Sequence, residues 1–144
     1  MVKLREMAIS DYPQVIQLWM NTEAMLLREA DSQVNIERYL KRNPGLSFLA
    51  VQNGQTVGAI LVGTDGRRGY VQHLAVDESK RGLGIGSQLI QRAVDALSDI
   101  GIDKTHLFVA HDNIGAQELY SKLGWFPRDE VRMYSFNSCD NADI

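Results

Sequence analysis

The residues with the clearest chemical capacity form a glycine-rich loop, Arg81-Gly82-Leu83-Gly84-Ile85-Gly86, which is followed by a segment with helical spacing. Glycines at alternate positions let a backbone approach a ligand closely and direct successive N–H groups into one concavity. The positive end of the following helix favours negative charge at the same place. The loop therefore predicts an anion site, and a diphosphate is its natural occupant.

Two familiar phosphate motifs do not fit this loop. A Walker A loop requires Gly, four residues, Gly, Lys and then Ser or Thr, and the sequence has no such run. A dinucleotide fingerprint requires Gly-x-Gly-x-x-Gly directly after the first strand, but the third glycine position counted from Gly82 is Ser87. Short glycine motifs are weak signals, so a loop that only starts a helix is the alternative interpretation.

Histidine and cysteine supply few further candidates. Cys139 stands in a polar stretch without a helix start or basic cluster, so a nucleophilic role is not expected. Imidazoles titrate near neutral pH, but strand alternation is expected to point His73 away from Gln72 and Leu74. His73 is therefore expected to be a structural histidine, unless a bulge reverses the parity. His111 is a second candidate for the cleft, and His106 is expected to be exposed. Their spacing matches no metal-ligand pair, so no metal site is predicted.

Length, composition and charge limit the class of protein. With 144 residues, 44% of them hydrophobic and 23% charged, the chain predicts a globular protein with one core. The net charge of −3 argues against broad nucleic-acid binding, which usually needs a strongly basic face. Neither a membrane-spanning run nor a signal-peptide core occurs, and a single cysteine fits a reducing compartment. We therefore expect a cytoplasmic protein that binds neither nucleic acid nor membranes.

The pattern of apolar residues predicts a mixed α/β fold. The predicted strands are residues 2–7, 47–52, 55–64, 70–76 and 104–110, followed by a final hairpin over 125–127 and 131–136. The predicted helices begin at Ser10 or Asp11, at Ser32, at Gly84, and at Asp112 or Asn113. The first predicted helix is expected to reach Leu26. The third and fourth helices are expected to end at Gly101 and Gly124.

Two features indicate how these strands are arranged. Asn53-Gly54 between two β-branched runs is a strong hairpin signal, so the strands before the glycine-rich loop are expected to be antiparallel. The strands at 70–76 and 104–110 are separated by a long helix, so we expect a parallel pair with a right-handed crossover. Residues 1–137 are expected to form one domain and residues 138–144 a frayed tail.

Two motifs together resemble the GNAT superfamily of acyl-coenzyme A-dependent N-acyltransferases. The first, Arg81-x-x-Gly84-x-Gly86, is similar to the family pattern Gln/Arg-x-x-Gly-x-Gly/Ala. The second runs over residues 113–126, NIGAQELYSKLGWF, and is similar to Asn-x-x-Ala-x-x-Leu-Tyr-x-x-x-Gly-Phe, with Trp125 in place of the usual Phe. The resemblance covers nearly the whole chain. It implies a mixed central sheet of about six or seven strands with about four helices, in the order β-α-α-β-β-β-α-β-α-β-β.

The resemblance also implies that the chain binds acetyl-coenzyme A as its acetyl donor. In this family two parallel strands splay apart, and the pantetheine arm lies in the gap against the backbone of the first strand. The residues assigned to the donor by the resemblance are Leu74, Ala75, Val76, Arg81, Gly82, Leu83, Gly84, Ile85, Gly86, Ser87, Asn113, Ala116 and Tyr120.

The reaction implied is direct attack of a neutral primary amine on the thioester carbonyl in a ternary complex. A main-chain N–H near Val76 is expected to bind the oxyanion, and Tyr120 to protonate the departing thiolate, since thiol and phenol pKa values of roughly 8.5 and 10 are close. Tyr70 and Gln72 occupy the positions from which the family assists the amine, but neither is a strong base. We therefore expect water relayed by them to an acidic side chain: Glu23, Glu29 or Asp31.

Two functions remain open from the sequence. The first is an N-acetyltransferase acting on a primary amine of a small molecule, peptide or protein. The second is a coenzyme A-binding sensor or structural module without turnover, which the absence of a carboxylate at Tyr70 and Gln72 keeps open. The expected partners are acetyl-coenzyme A and an amine acceptor, in a monomer or a homodimer.

Overall fold

The computed structural model describes residues 1–23 and 25–144, which form two compact units, Met1–Phe108 and Val109–Ile144. The strands, all in the first unit, are Lys3–Glu6 (β1), Phe48–Gln52 (β2), Gln55–Thr64 (β3), Gly69–Val76 (β4) and Thr105–Leu107 (β5). The helices of the first unit are Tyr12–Met20 (α1), Gln33–Arg42 (α2) and Ile85–Asp99 (α3), and the second unit contains Ile114–Lys122 (α4).

The strands form one mixed sheet with the order β1-β2-β3-β4-β5. The pairs from β1 to β4 are antiparallel, and β4 and β5 are parallel. The mixed fold class and the parallel pair predicted from the sequence are therefore confirmed. The crossover between β4 and β5 contains the glycine-rich loop and α3, so the sheet holds that loop at the C-terminal end of β4.

The turn between β2 and β3 places both central residues in the left-handed region. Asn53 has a φ of 51° and Gly54 a φ of 75°. These are the values that a type I′ turn needs, and its twist matches the twist of the two strands. The predicted hairpin is confirmed.

Helices α1 and α2 cover one face of the sheet. Val15 and Trp19 of α1 are fully buried, and Ile36 of α2 is nearly so. They form one cluster with residues that alternate along the strands: Leu49, Ala59, Leu61 and Ala75. Burial of such a cluster supplies most of the stability of a small domain.

Helix α3 packs on the opposite face, where strand glycines make room for it. A Cβ at Gly58 of β3 would lie 3.0 Å from Leu89 Cδ1 and 3.1 Å from Ile85 Cγ2. A Cβ at Gly69 of β4 would lie 2.6 Å from Leu97 Cδ1. The helix therefore lies close to the sheet along its length, which fixes its first turn relative to β4.

The helix ends specified by a cap residue are confirmed. Ser32 and Asn113 each accept a hydrogen bond from the backbone N–H three residues further on, at 3.4 and 3.2 Å. Gly101 and Gly124 follow α3 and α4 with φ values of 85° and 95°. Glycine suits these positions because side chains clash with the backbone in the left-handed region.

The beginning and end of α1 differ from the prediction. Asp11 precedes the helix, but its carboxylate accepts hydrogen bonds from Arg5 and from the Ala8 N–H and does not cap α1. The helix ends at Met20, six residues before Leu26. The hydroxyl of Thr22 donates to the Leu18 carbonyl at 2.8 Å, which satisfies an acceptor of the last turn and competes with continuation of the helix.

The predicted final hairpin is absent, and the strand predicted at 104–110 is reduced to β5. In the described part of the chain, residues 125–144 contain no strand, so the sheet has five strands rather than six or seven. The apolar side chains on which the prediction rested are exposed: Val131, Met133, Tyr134 and Phe136. A two-stranded hairpin is marginal in water unless its apolar face is covered.

Strand β4 contains a β-bulge that the sequence does not announce. Leu61 of β3 pairs with His73, and the next residue, Val62, pairs with Val71. Gln72 is therefore an extra residue with no partner directly opposite. A bulge breaks the alternation of side chains between the two faces of a sheet and is frequent next to functional sites.

The contact between β4 and α3 can be tested at Gly69. In the Gly69→Ala variant the new methyl group would meet Leu97 Cδ1 at 2.6 Å and Thr105 Oγ1 at 2.7 Å, so we expect a loss of about 1–3 kcal/mol in the free energy of unfolding. Urea denaturation followed by circular dichroism measures the change.

Gly115→Ala is the matched control. A Cβ there meets nothing within 4 Å, and the residue lies in α4, so alanine should leave stability unchanged or raise it by about 0.5–1 kcal/mol. Equal stability of wild type and Gly69→Ala would contradict the packing described for α3.

Candidate functional site

The loop between β4 and α3 has a defined conformation. The carboxylate of Asp77 accepts hydrogen bonds from the N–H and the hydroxyl of Ser79, at 2.9 and 2.6 Å. These two bonds lower the pKa of Asp77. Gly82 and Gly84 follow with φ values of 80° and 83°, a region that disfavours other residues. The chain then enters α3 at Ile85 without a side-chain cap.

The loop presents unpaired N–H groups. Within residues 1–23 and 25–144, no acceptor bonds the backbone N–H groups of residues 82–87. A Cβ at Gly82 would meet nothing within 4 Å, and at Gly84 only Gln88 Nε2 at 4.0 Å, so the space above these groups is open. Unpaired donors at the start of a 15-residue helix suit a diphosphate. The loop thus fits the predicted anion.

Arg81 at the beginning of the loop is tied back to the sheet. Its Nε donates to the carbonyl of Val76, the last residue of β4, at 3.2 Å. The side chain is exposed at the mouth of the loop. The bond fixes the guanidinium at the point where the strand ends and the N–H concavity begins.

The outer edge of β4 is only partly paired. β5 ends at Leu107, so the parallel pairing covers three residues of β4, from Gly69 to Val71. The Asp77 N–H donates to β3 at 2.8 Å, and alternation then directs the N–H groups of Leu74 and Val76 to the opposite edge. No strand of the described chain pairs with that part of the edge. A ligand with amide groups can bind there as an added strand does.

The bulge rearranges the side chains that the sequence placed by alternation. His73 lies opposite Leu61 and Tyr70 opposite Gly63, two positions of β3 that share one face. Leu74 lies opposite Ile60 and points to the other face. His73 was expected to point away from Gln72 and Leu74 unless a bulge intervened. It does point away from Leu74, but the bulge at Gln72 places His73 on the same face as Tyr70, because alternation holds only within an unbroken strand.

Tyr70 and Gln72 line a hollow of about 280 Å³ between α2 and the sheet. The lining residues are Tyr39, Arg42, Asn43, Gly63, Thr64, Asp65, Tyr70 and Gln72. Asn43 is buried and joins two elements, since its amide donates to the Tyr39 carbonyl and accepts from the Thr64 N–H. The hollow brings both residues predicted to assist the amine to one surface.

Tyr39 is a member of this hollow that the sequence did not indicate. Its hydroxyl lies directly over Gly63, where a Cβ would collide with it. Burial raises the pKa of Tyr39 to about 12, and the neighbouring Gln72 amide opposes the rise. In the described part of the chain the hydroxyl has no hydrogen bond of good geometry. A buried donor without a partner is costly to the fold.

His73 forms a pair with Asp31, from the segment between α1 and α2. The Nε2 and Oδ1 atoms are 2.8 Å apart, and both side chains are largely buried. The pair also contacts α1, because the Trp19 ring lies 4.8 Å from the imidazole and tilted by 58°. Residues 42 apart in sequence meet here. The spacing of the two residues gave no indication of the pair.

The remaining predicted acids, histidines and cysteine are not members of this pair. Glu23 and Glu29 are exposed, and so is Cys139. His106 of β5 lies beside Tyr70, with ring centroids 5.8 Å apart, so it is not simply exposed as expected. His111 is an exposed residue of the second unit, before α4.

The second unit contains the other motif. The Asn113 side chain caps α4 by accepting the Ala116 N–H, so its acceptor oxygen is engaged. Tyr120 lies in the last turns of the helix, with its ring 5.7 Å from that of Trp125. Burial raises the pKa of Tyr120 to about 12. The phenol therefore stays protonated, as a hydrogen-bond donor, throughout the physiological range.

A cleft of about 720 Å³ opens between α1 and the end of β4. Its lining is mostly polar, and sequence reasoning did not identify it: Pro13, Gln14, Gln17, Leu18, Asn21, Thr22, Thr56, Val76, Asp77, Glu78 and Arg81. The cleft shares Val76 and Arg81 with the mouth of the glycine-rich loop. It therefore gives a second approach to the end of β4.

Two kinds of feature are absent from residues 1–23 and 25–144. No group of three or more histidine, cysteine, aspartate or glutamate side chains is arranged to hold a metal ion. No helix among these residues combines the length and the apolar character needed to cross a lipid bilayer.

Comparison with known proteins agrees with this geometry. The family model described as "Acetyltransferase (GNAT) family" matches residues 3–125. An acetyltransferase of Pectobacterium atrosepticum is 37% identical over 123 residues, which cover 85% of this chain and 86% of that protein.

Solved structures share the fold. The PaiA N-acetyltransferase of Thermoplasma acidophilum, in complex with coenzyme A, superposes with a TM-score of 0.79 at 19% identity and covers 90% of this chain and 92% of that one. A protein of Arabidopsis thaliana in complex with the bisubstrate analogue CoA-Ac-MVNAL gives a TM-score of 0.69 at 25% identity, with coverage of 85% and 82%. The family model, the sequence relatives and the fold agree, and the chain belongs to the acetyltransferase (GNAT) family.

Proposed function

We propose that this protein is an N-acetyltransferase that transfers the acetyl group of acetyl-coenzyme A to a primary amine. The observation that carries the proposal is the unpaired edge of β4, which leads directly into an open loop of unpaired N–H groups. An amide-containing arm that ends in a diphosphate matches both features. Membership of the GNAT family supports the same donor.

The donor is held mainly by the main chain. The N–H groups of Leu74 and Val76 bind the amide part of pantetheine, while Ala75 between them is buried and bonds β3. The N–H groups across the loop bind the diphosphate: Gly82, Leu83, Gly84, Ile85, Gly86 and Ser87. Arg81 contributes charge at the mouth. Asn113, Ala116 and Tyr120 complete the set, as the resemblance to the family implies.

Transfer needs three contributions from the protein. The first is proximity of the amine to the thioester carbonyl, which ordered binding of both substrates provides. The second is a donor for the oxyanion, which a main-chain N–H near Val76 supplies. The third is proton transfer, with Tyr70 and Gln72 positioning water beside the amine. Both side chains line one hollow, and Gln72 is the extra residue of the bulge.

Tyr120 is the proposed acid that protonates the departing thiolate. A phenol whose pKa is raised to about 12 remains protonated at every pH where the enzyme works. It can therefore donate its proton as the C–S bond breaks and recover it from solvent afterwards. A weaker acid is compensated by the low dielectric of a buried site, which strengthens the hydrogen bond to the thiolate.

The acceptor is proposed as a primary amine of a small molecule, a peptide or a protein. The Arabidopsis protein was solved with a peptide-bearing bisubstrate analogue, which supports peptides as one acceptor class. We further propose a cytoplasmic protein, monomeric or homodimeric, that does not bind nucleic acid. The net charge of −3 and the single cysteine support this assignment.

A coenzyme A-binding sensor without turnover is the second candidate. The observation that favours it is the absence of a carboxylate at positions 70 and 72, where Tyr and Gln stand. Such a module would use the same loop and strand edge. The two candidates differ in one measurable property, release of free thiol.

Calorimetry with acetyl-coenzyme A, followed by thiol release with a panel of amines, tests the proposal. The panel holds polyamines, aminoglycosides, amino acids and peptides with free N-termini. Binding with thiol release for one class supports the transferase, and binding with no release across all classes supports the sensor. Absence of binding would overturn both.

The anion site is tested by Gly84→Glu. The added carboxylate would lie among the unpaired N–H groups and repel the diphosphate. We expect the Kd for acetyl-coenzyme A to rise about 100-fold, since hydrogen bonds to charged groups contribute about 1.5–3 kcal/mol each. Calorimetry measures the change.

Gly101→Glu is the matched control for this variant. Gly101 has nearly the same φ, 85° against 83°, and a Cβ there meets nothing within 4 Å. It should therefore share the backbone strain and leave the Kd unchanged. Equal Kd values for both variants and wild type would contradict an anion site at the loop.

The role of Tyr120 is tested by Tyr120→Phe. Loss of the phenol proton should lower kcat about 100-fold while the Kd for acetyl-coenzyme A is unchanged, because general acid catalysis contributes about 10²–10⁴. Stopped assays of thiol release between pH 6 and pH 10 measure the effect. The exposed Tyr134 offers the control, Tyr134→Phe, which should retain wild-type kcat. Full turnover of Tyr120→Phe at every pH would remove Tyr120 from the mechanism.

A further inference from the structure

The pair of His73 and Asp31 has no part in donor binding, yet it lies beside the donor-binding edge. His73 directly precedes Leu74, whose N–H lies on the unpaired edge of β4. Its side chain shares a face of the sheet with Tyr70, which lines the hollow together with Gln72. His73 therefore directly precedes the part of the edge proposed to hold the donor, and its imidazole lies on the side that α1 and α2 cover.

Asp31 is held in one position by several hydrogen bonds. One carboxylate oxygen accepts from His73 Nε2 at 2.8 Å, and the other accepts from the Arg28 N–H at 3.0 Å. Its main-chain carbonyl accepts from the Tyr12 hydroxyl at 2.8 Å. Burial alone would raise the pKa of Asp31, but the bonds from His73 and Arg28 bring the pKa below its usual value. The carboxylate thus stays ionised against the ring.

The imidazole has one nitrogen engaged and one nitrogen open. Nε2 faces Asp31, and Trp19 lies against the ring. In the described part of the chain, Nδ1 has no hydrogen-bond partner. It is also not among the fully buried polar atoms that lack one, which are Trp19 Nε1 and Tyr39 Oη. Nδ1 therefore remains in contact with solvent.

A carboxylate that orients an imidazole through one nitrogen, with the other nitrogen open, is the arrangement of a general base. We propose that His73 accepts the proton of the acceptor ammonium at Nδ1 and that Asp31 is its positioning residue. This assignment rests on the proposed acetyl transfer. It gives the water relay proposed at Tyr70 and Gln72 a defined end, because His73 shares a face of β4 with Tyr70 and bonds Asp31.

The proton and electron count of the step balances. A proton moves from the ammonium nitrogen to His73 Nδ1, and the freed electron pair forms the C–N bond with the thioester carbonyl carbon. The nitrogen bound to the carbonyl carbon releases a second proton to solvent, the C–S bond breaks, and the thiolate takes a proton from Tyr120, which recovers one from solvent. His73 returns its proton to solvent, so the sum is ammonium plus thioester giving amide, thiol and one proton.

The side chains that the packed elements present to the dyad of His73 and Asp31 are neutral. On the packed elements, α1 presents Tyr12 and α2 presents Tyr39, and burial raises the pKa of both phenols. Both are neutral between pH 5 and 9. β3 presents Leu61 opposite His73, and Arg28 and Glu29 beside Asp31 are exposed to solvent. Asp31 is therefore the charged group that controls the imidazole.

His73→Gln provides the test, because a glutamine amide can still donate to Asp31 while it cannot accept a proton. We expect kcat at pH 7 to fall about 100-fold, with the Kd for acetyl-coenzyme A unchanged. The ratio of wild-type to variant rate should shrink toward one as the pH rises above the pKa of the acceptor, since the amine is then already neutral. Asp31→Asn should lower kcat in the same pH-dependent way, by about 10-fold.

If the pair of His73 and Asp31 only stabilises the fold, its variants give a different result. Loss of packing lowers the rate by a factor that does not change with pH, and that outcome overturns the dyad. A rate loss that shrinks as the pH rises in His111→Gln, and not in His73→Gln, also overturns the proposed role of His73. Asp95→Asn, an exposed aspartate of α3 that bonds Gln91, is the matched control and should match wild type.

Nitrogen-15 NMR of the wild-type imidazoles keeps the proposal testable if a variant fails to fold. Neutral His73 should carry its proton on Nε2 and none on Nδ1. A proton on Nδ1 of the neutral ring overturns the assignment. Wild-type protein that releases no thiol with any amine refutes the proposed function itself. Turnover with a pH-independent defect in His73→Gln refutes only the dyad.

Discussion

The unequal pairing of β4 is the constraint on which the rest of the site depends. β4 bonds β3 along its length, but its other edge meets β5 over only three residues. Backbone N–H groups rarely remain without partners inside a folded domain, and an open strand edge attracts added strands. The edge at Leu74 and Val76 is thus suited to a ligand that carries its own amides. α3 begins just beyond the same strand, so the unpaired donors of its first turn continue the row.

The bulge at Gln72 decides which side chains accompany that edge. With regular alternation along β4, Leu74 and Tyr70 would share a face and His73 would face away from both. With the bulge, Tyr70 and His73 lie on the α1 and α2 side, where Asp31 is buried and Tyr39 half-buried. One inserted residue therefore places polar chemistry on one face of β4 while the backbone edge stays free. Bulges recur beside active sites for this reason.

Much of this fold could be predicted from local sequence signals, whereas contacts between residues distant in sequence could not. Asn53-Gly54, Ser32 and Asn113 each satisfy a backbone requirement within three residues, so the sequence alone indicates a turn or a cap. The pair of His73 and Asp31 joins segments 42 residues apart, and nothing in the local pattern marks it. The hairpin at residues 125–136 was expected from apolar alternation, yet alternation gives a strand only where a partner covers its apolar face. The bulge arises from how β3 and β4 pair, which the sequence of β4 does not encode by itself.

Main-chain recognition explains how an acidic protein can bind a polyanionic donor. The chain carries a net charge of −3, and in the loop Asp77 and Glu78 offset Lys80 and Arg81. The attraction for a diphosphate must then come from oriented N–H groups and the first turn of α3, at contact distance. Dipoles at contact distance are screened by salt much less than surface charges. In the proposed donor site, binding therefore depends on the backbone geometry that Gly82 and Gly84 permit, and the side-chain charges around the loop contribute mainly at its outer rim.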